Sequence, residues 1–182
     1  MKSFKDFVNP TSENGLYMKV KYSENSLELV KKLQEKLQLK NPVSLNKIHT
    51  TVVYSRKHVD IFPSLDVYEK ASIVGLDVWD TKYGKTVVAF LDSPYLHERF
   101  NDAMEAGATY DYPDYKPHIT LSYDAGNDVF FDFKKYTVQF PIDLFIVSEH
   151  TEELDFNIDL VSLTEYEHRG TYESLSSGEY NQ

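Results

Sequence analysis

Residues 15–22, GLYMKVKY, alternate apolar and polar side chains behind a glycine, the period of a strand with one buried face. The period then changes. In SENSLELVKKLQEKLQ the residues Leu27, Val30, Leu33 and Leu37 form one stripe, which predicts a helix. Asn25 and Glu28 have the spacing of a capping box at its start, and Asn41-Pro42 breaks it. The apolar run of KIHTTVVYS, residues 47–55, predicts the next strand. SIVGLDVW (72–79) and KTVVAFLD (85–92) predict a hairpin around Tyr83-Gly84. Ser93-Pro94 then has the form of an N-cap and first helical residue, with Leu96, Phe100, Ala103 and Met104 on one face and Gly107 to close the helix. A loop rich in Tyr, Asp and Pro, TYDYPDYKP, leads into KPHITLSYD, residues 116–124, which again predicts a strand. Two further strands are expected over 136–147 and 156–163, and the polar tail from Glu167 is expected to fray.

Two halves emerge from this pattern. Tyr17 to His49 is 32 residues (49 − 17) and crosses a strand, a helix and a strand, and Thr86 to His118 is also 32 residues (118 − 86) with the same three elements. The repeat predicts an α+β fold of two pseudo-symmetric lobes, with antiparallel sheets around a central cleft. At 182 residues the chain fits one domain with a real core. Residues 1–166 are expected to form it, and 167–182 a flexible tail.

Composition narrows the function. With 41% apolar residues the chain is globular rather than disordered. The lack of cysteine excludes disulfides, thiol nucleophiles and Cys-based metal sites, and it fits a reducing cytoplasm. No apolar run is long enough to span a membrane, and MKSFKDFVNP has no secretory h-region. A formal charge of −10 argues against long nucleic acids, though not against a small anion held by a few local cations.

Each late strand carries a polar His-x-Thr step. Residues i and i+2 share a strand face, so His49 projects with Thr51 and His118 with Thr120. If the two sheets face each other, two imidazoles and two hydroxyls converge. A lone strand histidine is more often structural than catalytic, but the duplicated spacing reverses that judgement. Histidine's unperturbed pKa lies near neutrality, so such a pair can hold one neutral and one protonated ring at once, the requirement for general base and general acid to work together. A phosphodiester suits it: the threonines donate to the non-bridging oxygens, where charge builds. This chemistry needs neither metal nor cofactor. His58, His97, His150 and His168 lack the motif and are expected at the surface, and Lys19, Lys21, Arg56 and Lys57 flank the strands as ordinary surface cations or phosphate attractors.

KPHITLSYD and KIHTTVVYS resemble the paired signatures of the two-histidine (2H) phosphoesterase superfamily, the first motif departing only in polar Thr50. More narrowly, FKDF, GLYMKV, the phrase KIHTTVVYSRK, a mid-chain Trp and YKPHITLSY resemble the phage anti-CBASS phosphodiesterases, over residues 14–163. The resemblance implies metal-independent cleavage of 3′–5′ bonds in cyclic di- and trinucleotides, which silences a bacterial immune signal. It implies catalytic roles for His49, Thr51, His118 and Thr120, and contacts to the nucleobases from Tyr17, Trp79 and Glu149. Two alternatives stay open: an RNA 2′,3′-cyclic or 2′,5′-phosphodiesterase of the same superfamily, and a sponge that binds a nucleotide without turnover.

Overall fold

The computed structural model describes residues 14–127 and 137–154. Strand β1 (Gly15–Tyr22) runs into helix α1 (Glu24–Lys36), and a 3₁₀ turn (Leu45–Lys47) precedes β2 (Thr50–Ser55). Strands β3 (Glu69–Thr81) and β4 (Gly84–Asp92) form a hairpin, followed by helix α2 (Pro94–Glu105), β5 (His118–Ser122) and β6 (Ile142–Leu154). The expected α+β fold is therefore present. Strand β6 differs from expectation in starting at Ile142 and continuing through the polar run SEHTEEL, where pairing with β1 supplies what hydrophobicity does not. The strand expected over 156–163 and the C-terminal tail lie outside the described residues.

Local chemistry explains the boundaries. The Ser23 side chain, rather than Asn25, caps α1 by accepting from the Ser26 N–H at 3.2 Å; Asn25 is already inside the helix. Ser93 caps α2 in the same way and Pro94 opens it. At the hairpin only Lys82 and Tyr83 separate the Thr81–Gly84 pair. Gly84 has φ +123°, and a Cβ there would come within 2.6 Å of the Asp124 carboxylate, so the turn requires glycine.

The six strands of the described residues pair antiparallel in one sheet, ordered β2-β1-β6-β3-β4-β5. The two lobes are its two ends, β2-β1-β6 and β3-β4-β5, fused where β6 pairs with β3. The register shows how closely they match. Lys19 pairs with Thr51 and Val88 with Thr120, each partner 69 positions further on (88 − 19, 120 − 51), and the bulges at Met18/Lys19 and Val87/Val88 keep that offset. Strands β6 and β3 correspond as well: Tyr17 pairs with Glu152 where Thr86 pairs with Trp79. The local two-fold passes through the Ala71–Leu144 pair.

One face of the sheet packs on both helices around Met18, Val20, Leu33, Leu96 and Ile119. The ends of the sheet curl toward each other, and the chain after α1 clasps them. Pro42 bridges Ser122, the Val43 N–H donates to the Leu121 carbonyl at 2.9 Å, and the Ser122 hydroxyl donates to the Lys40 carbonyl at 2.7 Å. Buried Gln34 on α1 completes the clasp, its amide donating to the carbonyls of Val43 and Leu121 at 3.0 and 3.1 Å. Gln34→Leu keeps the volume but removes both donors. It is expected to lower the unfolding free energy by about 2 kcal/mol, read as a lower urea midpoint at unchanged m-value.

Candidate active site

The curl brings the edge strands β2 and β5 into contact, and with them the two His-x-Thr steps. Their backbone settings match. His49 Nδ1 lies 2.7 Å from the Lys47 carbonyl, and His118 Nδ1 lies 3.0 Å from the Lys116 carbonyl. A carbonyl only accepts, so in each ring Nδ1 carries the proton and Nε2 keeps its lone pair. His118 is 5% exposed, and its Nε2 and the Thr120 hydroxyl are buried atoms without a hydrogen-bond partner among the described residues. Buried polar atoms are rarely left so, because each costs about 1–3 kcal/mol. Two of them on one strand face mark a place built to receive polar atoms.

The electrostatics of the pair are coupled. Burial pushes His49 down to about 4 against the opposing hydrogen bond to Lys47, and the charges of Lys19, His118 and Lys21 push the same way. Burial likewise takes His118 down to about 4 against its bond to Lys116. Both rings are therefore neutral at pH 7 in the free protein. An anion placed between them is what restores a proton to one.

Aromatic rings hold this arrangement. Tyr17 packs against His49 in a T-shaped pair, 6.5 Å between centroids with the rings at 77°, and its hydroxyl meets the Thr51 hydroxyl at 3.1 Å. Trp79 packs edge-on against His118 at 4.9 Å and donates from its indole N–H to Asp77 at 3.1 Å. Both rings are nearly covered, at 1% and 4% exposure. Tyr112, from the Tyr-rich loop, packs against the Tyr17 cluster and the Trp79 cluster alike, and so ties the two lobes together. The run of tyrosines in the sequence was its only signal. Tyr115 from the same loop donates to the Thr51 carbonyl at 2.9 Å. Polar Thr50, the one departure in the first motif, faces the core and meets the Tyr22 hydroxyl at 2.6 Å, which accounts for a hydroxyl at an otherwise apolar position.

Glu149, expected from the resemblance to contact a base, stands on the other face of the sheet. It pairs with core Val20, whereas Glu152 pairs with Tyr17 on the cleft face. The carboxylate of Glu149 is engaged four times: by Arg99 Nε at 2.8 Å and Nη2 at 3.1 Å, by the Ser64 N–H and by the Tyr95 hydroxyl. These contacts tie the 56–68 loop and α2 to β6. Glu152 occupies the position that the local two-fold relates to Trp79. Sequence reasoning missed it because SEHTEEL has no apolar alternation to mark a strand.

Burial alone would raise the Glu149 carboxyl, but hydrogen bonds from Arg99, Ser64 and Tyr95 and the Arg99 charge more than offset it, leaving it below its ordinary value. A depressed carboxyl stabilises the fold above its unfolded pKa, and that contribution disappears as pH falls through the folded value. Glu149→Gln is expected to cost about 3 kcal/mol at pH 7, since it leaves Arg99 without its main partner. The gap to the parent protein should shrink on acidification below about pH 4, as followed by thermal melts across pH.

Comparison with known proteins places the chain in a family. The family model described as anti-CBASS protein Acb1 matches residues 14–160. The chain is 47% identical over 171 residues to the Acb1 protein of Escherichia phage RB16, covering 93% of this chain and 98% of that one. It is 47% identical over 126 residues to the Acb1 protein of Enterobacteria phage T4, covering 69% and 80%. Among solved structures, E. coli LigT complexed with 3′-AMP superposes with a TM-score of 0.50 at 16% identity, over 77% of this chain and 87% of that one, a likeness of fold. On the match along its length and on this shared fold, the chain belongs to the Acb1 family of anti-CBASS proteins.

Proposed function

We propose that this protein is a metal-independent phosphodiesterase that opens 3′–5′ bonds in cyclic di- or trinucleotide messengers, acting in the host cytoplasm to disarm CBASS. The observation that carries this reading is the pair of buried atoms without a partner among the described residues, His118 Nε2 and Thr120 Oγ1, on a frame that repeats as His49 and Thr51. A sponge has no need of two proton-transfer groups held in the same tautomer.

The chemistry follows from the two Nε2 positions. One imidazole removes the proton of the ribose 2′-hydroxyl, whose oxygen attacks the adjacent phosphorus. The other ring, protonated, delivers its proton to the departing 5′-oxygen. The product is a linear nucleotide ending in a 2′,3′-cyclic phosphate, which water opens with the roles of the rings reversed. The tethered hydroxyl brings a large effective-molarity advantage, and Thr51 and Thr120 donate to the non-bridging oxygens. Tyr17 and Trp79, packed at steep angles against the two histidines, keep both imidazoles in register and border the place of the nucleoside. Glu152, on the cleft face beside Tyr17, takes the base-contacting role expected of Glu149.

Incubation of a cyclic dinucleotide in large excess over protein, with EDTA present, tests this directly. Linear product should accumulate over many turnovers. His49→Ala and His118→Ala should each lower kcat by about 10²–10⁴-fold, and a 2′-deoxy analogue at the cleaved position should bind without being cut. Stoichiometric binding with no product would sink the enzymatic reading.

The low pKa values of the free rings generate a second expectation. The reactive form carries one proton on the pair, so above about pH 5 its share of the free protein falls about tenfold per pH unit. A log plot of kcat/KM against pH should therefore descend through neutrality. The kcat profile should break at higher pH, because the bound phosphate raises the pKa of the ring it touches.

A further inference from the structure

The two lobes share a backbone but not a charge. On the cleft face of the first lobe Lys19 pairs with His150 and Lys21 pairs with Ser148, forming a rectangle one step beyond Thr51 along β1. At the positions related by the local two-fold, the second lobe has Val88 opposite Asp77 and Phe90 opposite Gly75. One end of the cleft is thus cationic and the other apolar with a single carboxylate.

The groups of the rectangle crowd one another. Burial pushes the His150 ring below its ordinary value, and the charges of Lys21 and Lys19 add to the effect. The Ser148 hydroxyl holds His150 Nε2 at 2.9 Å, and Lys21 Nζ is anchored at 2.9 Å to the Asn46 carbonyl in the turn just before His49. An ammonium has three protons, so this bond leaves Lys21 able to donate to a ligand as well. Glu152 faces the cleft one position further along β6, where it pairs with Tyr17.

We propose that Lys21, His150, Ser148 and Lys19 form a second phosphate site, which holds the uncut phosphate of the cyclic substrate while the other lies between the histidines. This inference rests on the functional reading above. A cyclic oligonucleotide has as many phosphates as nucleosides, and only one can occupy the catalytic pair at a time. The protein carries a formal charge of −10, so each remaining phosphate is repelled unless local cations receive it. The two-fold makes the second lobe an internal comparison, because the same backbone there bears no cation. The cleft thus gives a cyclic dinucleotide a direction: one end takes phosphate, and the Trp79 end takes nucleoside.

The test compares a cyclic dinucleotide with a linear dinucleoside monophosphate, whose single phosphate is the one cut. The double variant Lys21→Gln, His150→Gln should raise KM for the cyclic substrate about tenfold, with kcat changed far less. The rise should shrink as salt is increased. For the linear substrate KM (or Ki as a competitor, where turnover is slow) should rise several-fold less. Equal increases for both substrates would reduce the patch to general attraction and overturn the site, as would an unchanged KM for the cyclic one. If the unsubstituted protein does not turn over the cyclic dinucleotide, the functional reading fails and this site fails with it. If it does so but the variant shows no selective increase, only the site fails.

Discussion

Ala71 and Leu144 face each other across the ladder between β3 and β6, and the arrangement of the cleft depends on that junction. Two lobes of this size would each expose an open sheet edge if they stood apart. Fusing the lobes through β3 and β6 removes those two edges and leaves β2 and β5 as the outer strands. These are the strands that carry the His-x-Thr steps. Curling then brings the outer strands together, and the clasp at residues 40–43 fixes how far the curl goes. The candidate active site is thus assembled from the two strands furthest apart in the order of the sheet.

The proposed reaction is asymmetric, and the frame beneath it is symmetric. The matching Nδ1 hydrogen bonds give both histidines one tautomer, and matching bulges give both threonines one direction. The surroundings then distinguish them. Lys19 and Lys21 act on His49, whereas His118 is enclosed by Trp79 and its apolar neighbours. Removal and delivery of a proton need two rings that are alike in geometry and unlike in electrostatics, and this fold separates the two properties. Backbone register fixes the first, and the residues at 19, 21, 88 and 90 fix the second.

Much of this was legible in the sequence. Strand β1 was bounded at Gly15 and Tyr22 by its alternation, α2 by Ser93-Pro94 and Gly107, and the paired 32-residue spacing disclosed the repeat. These signals are local, so a single sequence carries them. The single continuous sheet was not legible, because the lobes join through long-range pairing along β6, half of which is too polar to read as a strand. Glu149 and Glu152 illustrate the loss: three residues apart, they lie on opposite faces, and only the register tells which one sees the cleft. Tyr112 escaped for a related reason. A loop tyrosine shows no periodicity, and its place between the two aromatic clusters depends on the whole curl.

The clasp between Gln34, Lys40, Val43 and the end of β5 gives the site a mechanical character. The separation of the two rings follows from how far the sheet bends. It is the chord of a bent sheet, held at its ends like a drawn bow. Catalytic geometry tolerates little displacement, with 1 Å able to cost about a hundredfold in rate. Substitutions on the helix side, remote from the paired His-x-Thr steps, can therefore shift the two imidazoles relative to each other by stiffening or relaxing that curvature, while both steps stay intact.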